Sequence, residues 1–141
     1  MKDSYKNILV ALDGSDQSFE ALQESIEIAK RNDAKLFLMT AVNYSPWSTD
    51  AQIMQLLLTE GQSTAKNIVN KAKKQIPESI EYYDKILNGN PKACIVQCAK
   101  ENDVDLIAMG ATGKGFIDRT LVGSTTAFVV NHAQCNVLVV K

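Results

Sequence analysis

Short apolar runs rich in β-branched residues alternate along this chain with stretches whose apolar positions recur every three or four residues. Asn7 to Leu12 (NILVAL) is almost continuously apolar, as a strand covered on both faces requires. The turn Asp13-Gly14-Ser15-Asp16 follows, where Ser15 or Asp16 can cap a helix reaching about Arg31. Phe19, Leu22, Ile26 and Ala29 share one face of that helix, and Asn32-Asp33 stops it. Lys35 to Val42 (KLFLMTAV) reads as a second strand, and Asn43 to Asp50 as a loop with Pro46 and Trp47 at its tip. Ser48, Thr49 or Asp50 can cap a long helix ending near Ile76, before Pro77, with Ile53, Leu57, Gly61, Ala65, Ile68 and Ala72 as its inward stripe. Ile80 to Leu87 is a third strand. Asn88-Gly89-Asn90-Pro91 turns the chain into a helix over Lys92 to Glu101, with Asn90 as a natural cap. Asp105 to Met109, a helix from Gly123 or Ser124 to about His132, and the strand Asn136 to Val140 complete the series.

Strict alternation of strand and helix predicts a single-domain α/β fold: a doubly wound, five-stranded parallel sheet with helices on both faces. The 141 residues, 45% apolar and 22% charged, suit one globular unit with its own core. A net charge of −1 offers nothing for nucleic acid or an anionic membrane. Lys71, Lys73 and Lys74 read as a solvated helix face. The cysteines Cys94, Cys98 and Cys135 lack the spacing of a disulfide framework, and His132 is the sole histidine, so the residues for a zinc site are missing. No apolar stretch approaches the ~20 residues of a membrane span, and the start of the chain lacks the pattern of an export signal, so a cytoplasmic protein is expected.

In a doubly wound sheet, ligands bind beyond the carboxyl ends of the strands where the strand order reverses. The segments there are Asp13-Gly14-Ser15, Ala41-Val42 and the long loop from Gly110 to Thr126. The last is the richest. Gly110 and Gly113 allow positive φ or close approach of backbone amides to a ligand. Gly123, Ser124, Thr125 and Thr126 form a hydroxyl-rich helix entry whose free amides suit a phosphate. Lys114 and Arg119 lie between as sources of positive charge. The Walker A pattern fails, because Lys114 is followed by Gly115 and Ala108 stands where the first glycine belongs. The pattern G-x-G-x-x-G fails at Asp118. From spacing alone, the loop is as consistent with an ordinary glycine turn before a capped helix as with a phosphate cradle.

Gly110, two residues, Gly113, nine residues, then Gly123-Ser124 resembles the nucleotide signature G-x2-G-x9-G-[ST] of the universal stress protein family. Asn7 to Ser15, Gly89-Asn90-Pro91 and His132 to Val140 also resemble that family's first strand and turn, its glycine-proline turn and its closing strand, in the family's order. The resemblance implies a sheet order of 3-2-1-4-5 and places the chain with the family's ATP-binding members. It implies that Asp13 meets the ribose end, that the backbone of Ala41 meets adenine, and that Gly110, Thr112 and Gly113 line the ribose and phosphates. Gly123, Ser124, Thr125 and Thr126 would hold phosphate oxygens, with Lys114 close by and the strand ends Ala11, Leu12 and Met109 bordering the ligand. Mg²⁺ or Mn²⁺ carried by the nucleotide would be reached by Asp13. A homodimer through Val137, Leu138, Val139 and Val140 is also implied, and the apolar edge strand independently invites it.

The chain departs from the family pattern in two places. Thr40-Ala41 stands where the family often has histidine and valine, and the smaller Ala41 loosens the packing expected around adenine. Thr112 occupies a position often basic, which leaves phosphate neutralisation to Lys114 or Arg119. Simpler roles exist for the same residues: Asp13 as a helix cap, Thr125 and Thr126 as helix starters, His132 as a helix-end residue. No acid, nucleophile or second histidine completes a catalytic set. The expectation is an ATP-binding stress-response regulator with slow or absent turnover. The alternatives are a slow ATP hydrolase and an interaction module whose loop is vestigial.

Overall fold

The computed structural model describes residues 2–43, 50–113 and 121–141. Their elements run β1 (Asn7–Ala11), α1 (Asp16–Asn32), β2 (Lys35–Val42), α2 (Ala51–Lys73), β3 (Tyr82–Asn88), α3 (Pro91–Glu101), β4 (Leu106–Gly110), α4 (Ser124–His132) and β5 (Asn136–Val140). All neighbouring strands pair in parallel, in the order β3-β2-β1-β4-β5. The chain therefore winds outward from β1 to β3, then crosses back to β4 and continues to β5. The reversal falls between β1 and β4.

Polar caps set the helix ends. The Ser15 side chain accepts from the Ser18 N–H at the start of α1, and Asp33 closes that helix in the left-handed conformation with φ of 53°. Asp50 caps α2 through the Gln52 N–H, and Asn90 caps α3 through the Lys92 N–H with Pro91 at the first helical position. Gly14, at φ of 86°, makes the turn between β1 and α1 that a side chain would strain.

Each face of the sheet has its own core. Ile8, Val10 and Leu12 pack with Leu36 and Leu38 against Leu22, Ile26 and Ala29 of α1 and Ala72 of α2. Leu9, Met39, Ile107 and Met109 pack on the other face against Ile95 and Cys98 of α3 and Val129 of α4. Leu12 lies past the end of β1 but its N–H still donates to the Met39 carbonyl at 2.8 Å. The central strands β1 and β4 are buried on both faces, as a parallel sheet sandwiched by helices demands.

The inward stripe expected for α2 holds only for its second half. Ala65, Val69 and Ala72 are buried, while Ile53 and Leu57 are 48% and 54% exposed. The helix outruns the sheet. Gly61 meets the last residue of β2 so closely that a Cβ there would lie 2.6 Å from Val42 Cγ1, and the first ten residues of α2 extend past that contact. The helix also ends at Lys73 rather than near Ile76, where hydrogen bonds from Gln75 to Ala72 and from Ile76 to Lys73 tighten the chain into a turn.

Candidate nucleotide site

A cleft of about 210 Å³ opens beyond the carboxyl ends of β1, β2 and β4, at the strand-order reversal. Ala11, Leu12 and Asp13 form its centre. Ala41 flanks them from β2, and Met109, Gly110, Thr112 and Gly113 flank them from β4 and its loop. Gly123, Ser124, Thr125 and Thr126 bring the N-terminus of α4 to the same cleft. The fold thus gathers twelve of the thirteen expected residues, from segments far apart in sequence, around one opening. Lys114 and Arg119, and the loop from Tyr44 to Thr49, lie outside the described residues.

Five further residues line the cleft: Ser15, Ser18, Met39, Pro91 and Ile95. Met39 and Ile95 belong to the core that covers this face of the sheet. Pro91 and Ile95 stand four apart on α3, so they present one edge of that helix. The signal for them was the helix start at Asn90-Pro91 combined with the sheet order, which places the first turn of α3 over the end of β2. With Ala41 and Met109 these residues supply an apolar share of the lining, suited to a flat heteroaromatic ring. The polar share comes from Asp13, the Ser124 and Thr125 hydroxyls and the α4 N-terminus.

The polar share is held by a dense set of bonds. The Asp13 Oδ1 accepts from the Ser15 N–H at 2.9 Å and from the Ser15 hydroxyl at 2.5 Å. Its Oδ2 lies 3.1 Å from where a Cβ on Gly113 would stand. Ser15, rather than Asp13, caps α1. The Ala111 N–H donates to the Val140 carbonyl at 2.8 Å, and the Gly123 N–H donates to the Ala111 carbonyl at 2.7 Å. The Thr126 hydroxyl donates to the Gly110 carbonyl at 2.8 Å. Gly123 occupies the cap position of α4 and offers no side-chain bond to the amides of the first turn.

Two details revise the reading of this loop. Gly110 and Gly113 are not there for positive φ, which among the described glycines occurs at Gly14 and Gly89. At Gly110 the constraint is packing: a Cβ would stand 2.8 Å from Gln17 Cβ. Thr112 lines the cleft, but its N–H and hydroxyl both donate to Gln17 Oε1, at 2.8 and 2.9 Å. Gln17 itself went unnoticed in the sequence, where nothing marks a pairing between residues 95 apart.

The remaining chemistry-bearing groups lie elsewhere. His132 stacks on Phe128, with ring centroids 3.9 Å apart, and its Nδ1 donates to the Phe128 carbonyl at 2.8 Å. Burial pushes the thiols of Cys94, Cys98 and Cys135 above their ordinary range, so they stay protonated near neutral pH. Among the described residues, no three or more His, Cys, Asp or Glu side chains cluster as metal ligands, and no helix is long and apolar enough to cross a membrane.

A doubly wound parallel sheet with a glycine-bordered cleft at its strand-order reversal defines an α/β fold whose cleft lies where such sheets bind ligands. Residues 4–141 match the universal stress protein family, and the chain belongs to that family. A universal stress protein of Methanocaldococcus jannaschii is 39% identical over 144 residues, spanning 97% of this chain and 82% of that protein. The structure of the universal stress protein UspA from Lactobacillus plantarum matches with a TM-score of 0.91 at 35% identity, covering 99% of this chain and 100% of that one. A universal stress protein solved in complex with cAMP matches with a TM-score of 0.63 at 28% identity, covering 99% of this chain and 98% of the other.

Proposed function

We propose that this protein binds ATP in the cleft between β1 and β4 and acts as a nucleotide-dependent stress-response regulator in the cytoplasm, turning ATP over slowly or not at all. The observation that carries this reading is the convergence, in one opening, of an apolar slot and a helix N-terminus with glycine as its cap. Adenine fits the slot between Met39 and Ala41 of β2 and Pro91 and Ile95 of α3. Asp13 faces the ribose. The phosphates lie against Gly113, Ser124 and Thr125, where the first-turn amides of α4 carry partial positive charge. The cAMP complex of a related universal stress protein supports the adenine part of the assignment.

Two features of the site argue for binding without chemistry. The sole histidine is engaged with Phe128 away from the cleft. The Asp13 carboxylate accepts two bonds from Ser15, an arrangement that holds it in place and suits contact with a hydroxyl or a nucleotide-borne Mg²⁺ or Mn²⁺ better than proton abstraction. Calorimetric titration with ATP and Mg²⁺, paired with a phosphate-release assay, tests the proposal. Saturable binding with turnover near background is expected. Rapid metal-dependent hydrolysis that disappears in Gly113→Asp overturns the non-catalytic part, and an absence of any heat or thermal shift favours a vestigial loop.

A further inference from the structure

Gln17 stands outside the lining of the cleft, yet it holds the loop that forms one of its walls. We propose that Gln17 is a positioning residue for the phosphate-bearing part of the nucleotide, acting through Thr112 rather than by touching the ligand. The inference rests on the nucleotide reading given above.

The geometry is specific. Gln17 lies in the first turn of α1 and is buried, as is Thr112. Its Oε1 accepts from both the Thr112 N–H and the Thr112 hydroxyl. A backbone N–H only donates, so the carboxamide is locked with its oxygen toward the loop. Among the described residues its Nε2 is buried without a partner, an arrangement that burial penalises. A residue there for packing alone would be better served by leucine or methionine. The surroundings are shaped to this contact, because Gly110 leaves the space that Gln17 Cβ occupies. On the other side of the loop, Gly113 abuts Asp13 Oδ2. Fixing Thr112 from α1 therefore sets Gly113, its neighbour, against Asp13 and toward the α4 N-terminus. The clamp governs the part of the lining where phosphates bind and leaves the apolar slot of Met39, Ala41, Pro91 and Ile95 untouched.

The test compares ATP with adenosine, which lacks the phosphates, by calorimetric titration of the whole chain and of Gln17→Met. The expected result is ATP affinity weakened on the order of tenfold, about the net contribution of one lost hydrogen bond, with adenosine affinity unchanged. Ser25→Ala serves as the stability control, since it removes a buried bond to the Ala21 carbonyl on the same helix, away from the cleft. It should lower the melting temperature without altering the ratio of ATP to adenosine affinity. Thr112→Val reaches the clamp from the loop side while keeping the backbone bond, and decides the matter if Gln17→Met folds poorly. It should also weaken ATP selectively, and adding it to Gln17→Met should cause little further loss. ATP and adenosine weakened equally, or ATP binding intact in Gln17→Met or in Thr112→Val, overturns the clamp alone. Failure of the unaltered chain to bind ATP overturns the nucleotide reading, and the clamp with it.

Discussion

Gly110 and Gly123 border the same cleft, but a side chain at each would meet different surroundings. At Gly110 a Cβ would press on Gln17 and on the α1 backbone, at 2.8 and 3.2 Å. At Gly123 the nearest atom among the described residues, the Ala111 carbonyl oxygen, is 3.5 Å away, an ordinary contact. The backbone at Gly123, with φ of −65° and ψ of 159°, also accepts any residue. Among the described residues nothing opposes a side chain at Gly123, and the first-turn amides of α4 would gain a cap from one. Gly110→Ala should lower stability by about 1–3 kcal/mol through overpacking, measured by urea denaturation. Gly123→Asp should leave stability unchanged or raise it by a few tenths of a kcal/mol, because aspartate is a good N-cap and favours the helix dipole. The same carboxylate would occupy the phosphate position, and calorimetry should show ATP binding abolished. Loss of stability in Gly123→Asp would mean that the protein, not the ligand, requires the glycine.

At the scale of elements, the strands were the most legible part of the chain. β2 and β5 span the residues their apolar runs indicate, and β1 differs only at Leu12, which still pairs with Met39. Asn90 was readable as a cap, while the caps of α1 and α2 were narrowed to Ser15 or Asp16 and to Ser48, Thr49 or Asp50, of which Ser15 and Asp50 hold the position. The apolar stripe of α2 faces the core only after Gly61. Periodicity shows that a helix face is apolar, but not how far a sheet extends beneath it, and here the sheet ends under Gly61. The positions of the site residues followed from the fold, whereas Gln17 did not, because a clamp between α1 and the loop after β4 leaves no periodic trace. Neither did Thr40, a β2 residue whose buried hydroxyl has no hydrogen-bond partner among the described residues. Thr40→Val keeps the shape and removes that orphan oxygen. It should raise stability by about 1 kcal/mol, read as a higher urea midpoint at unchanged slope. A lower midpoint would show that the hydroxyl has a partner in solution.

For the whole molecule, the two sheet edges are unlike. β3 carries Asp84 and Lys85, and Asp84 pairs with Lys73 of α2 at 3.1 Å, so that edge is guarded by charge. β5 is Asn-Val-Leu-Val-Val, half-buried and without a charge, and exposed Val130 of α4 comes shortly before it in the chain. On this asymmetry we propose the dimer through β5 that the family resemblance implies. Val139 lies on that strand and belongs to neither core cluster. Light scattering should find a dimer at micromolar concentration, and Val139→Lys should shift it to a monomer while circular dichroism stays unchanged. A monomeric unaltered chain would remove the dimer from the account. The same edge is wired to the cleft: the Val140 carbonyl accepts from Ala111, whose own carbonyl accepts from Gly123 at the start of α4.

The central claim is that an adenine nucleotide occupies the cleft between β1 and β4. The most direct measurement is to purify the protein without added nucleotide, equilibrate it with a mixture of ATP, GTP, CTP and UTP, remove the unbound fraction, denature it and identify what is released by mass spectrometry. The account predicts ATP as the retained species, near one per chain, and none retained by Gly123→Asp. Equal retention of all four nucleotides, or of none, would contradict it.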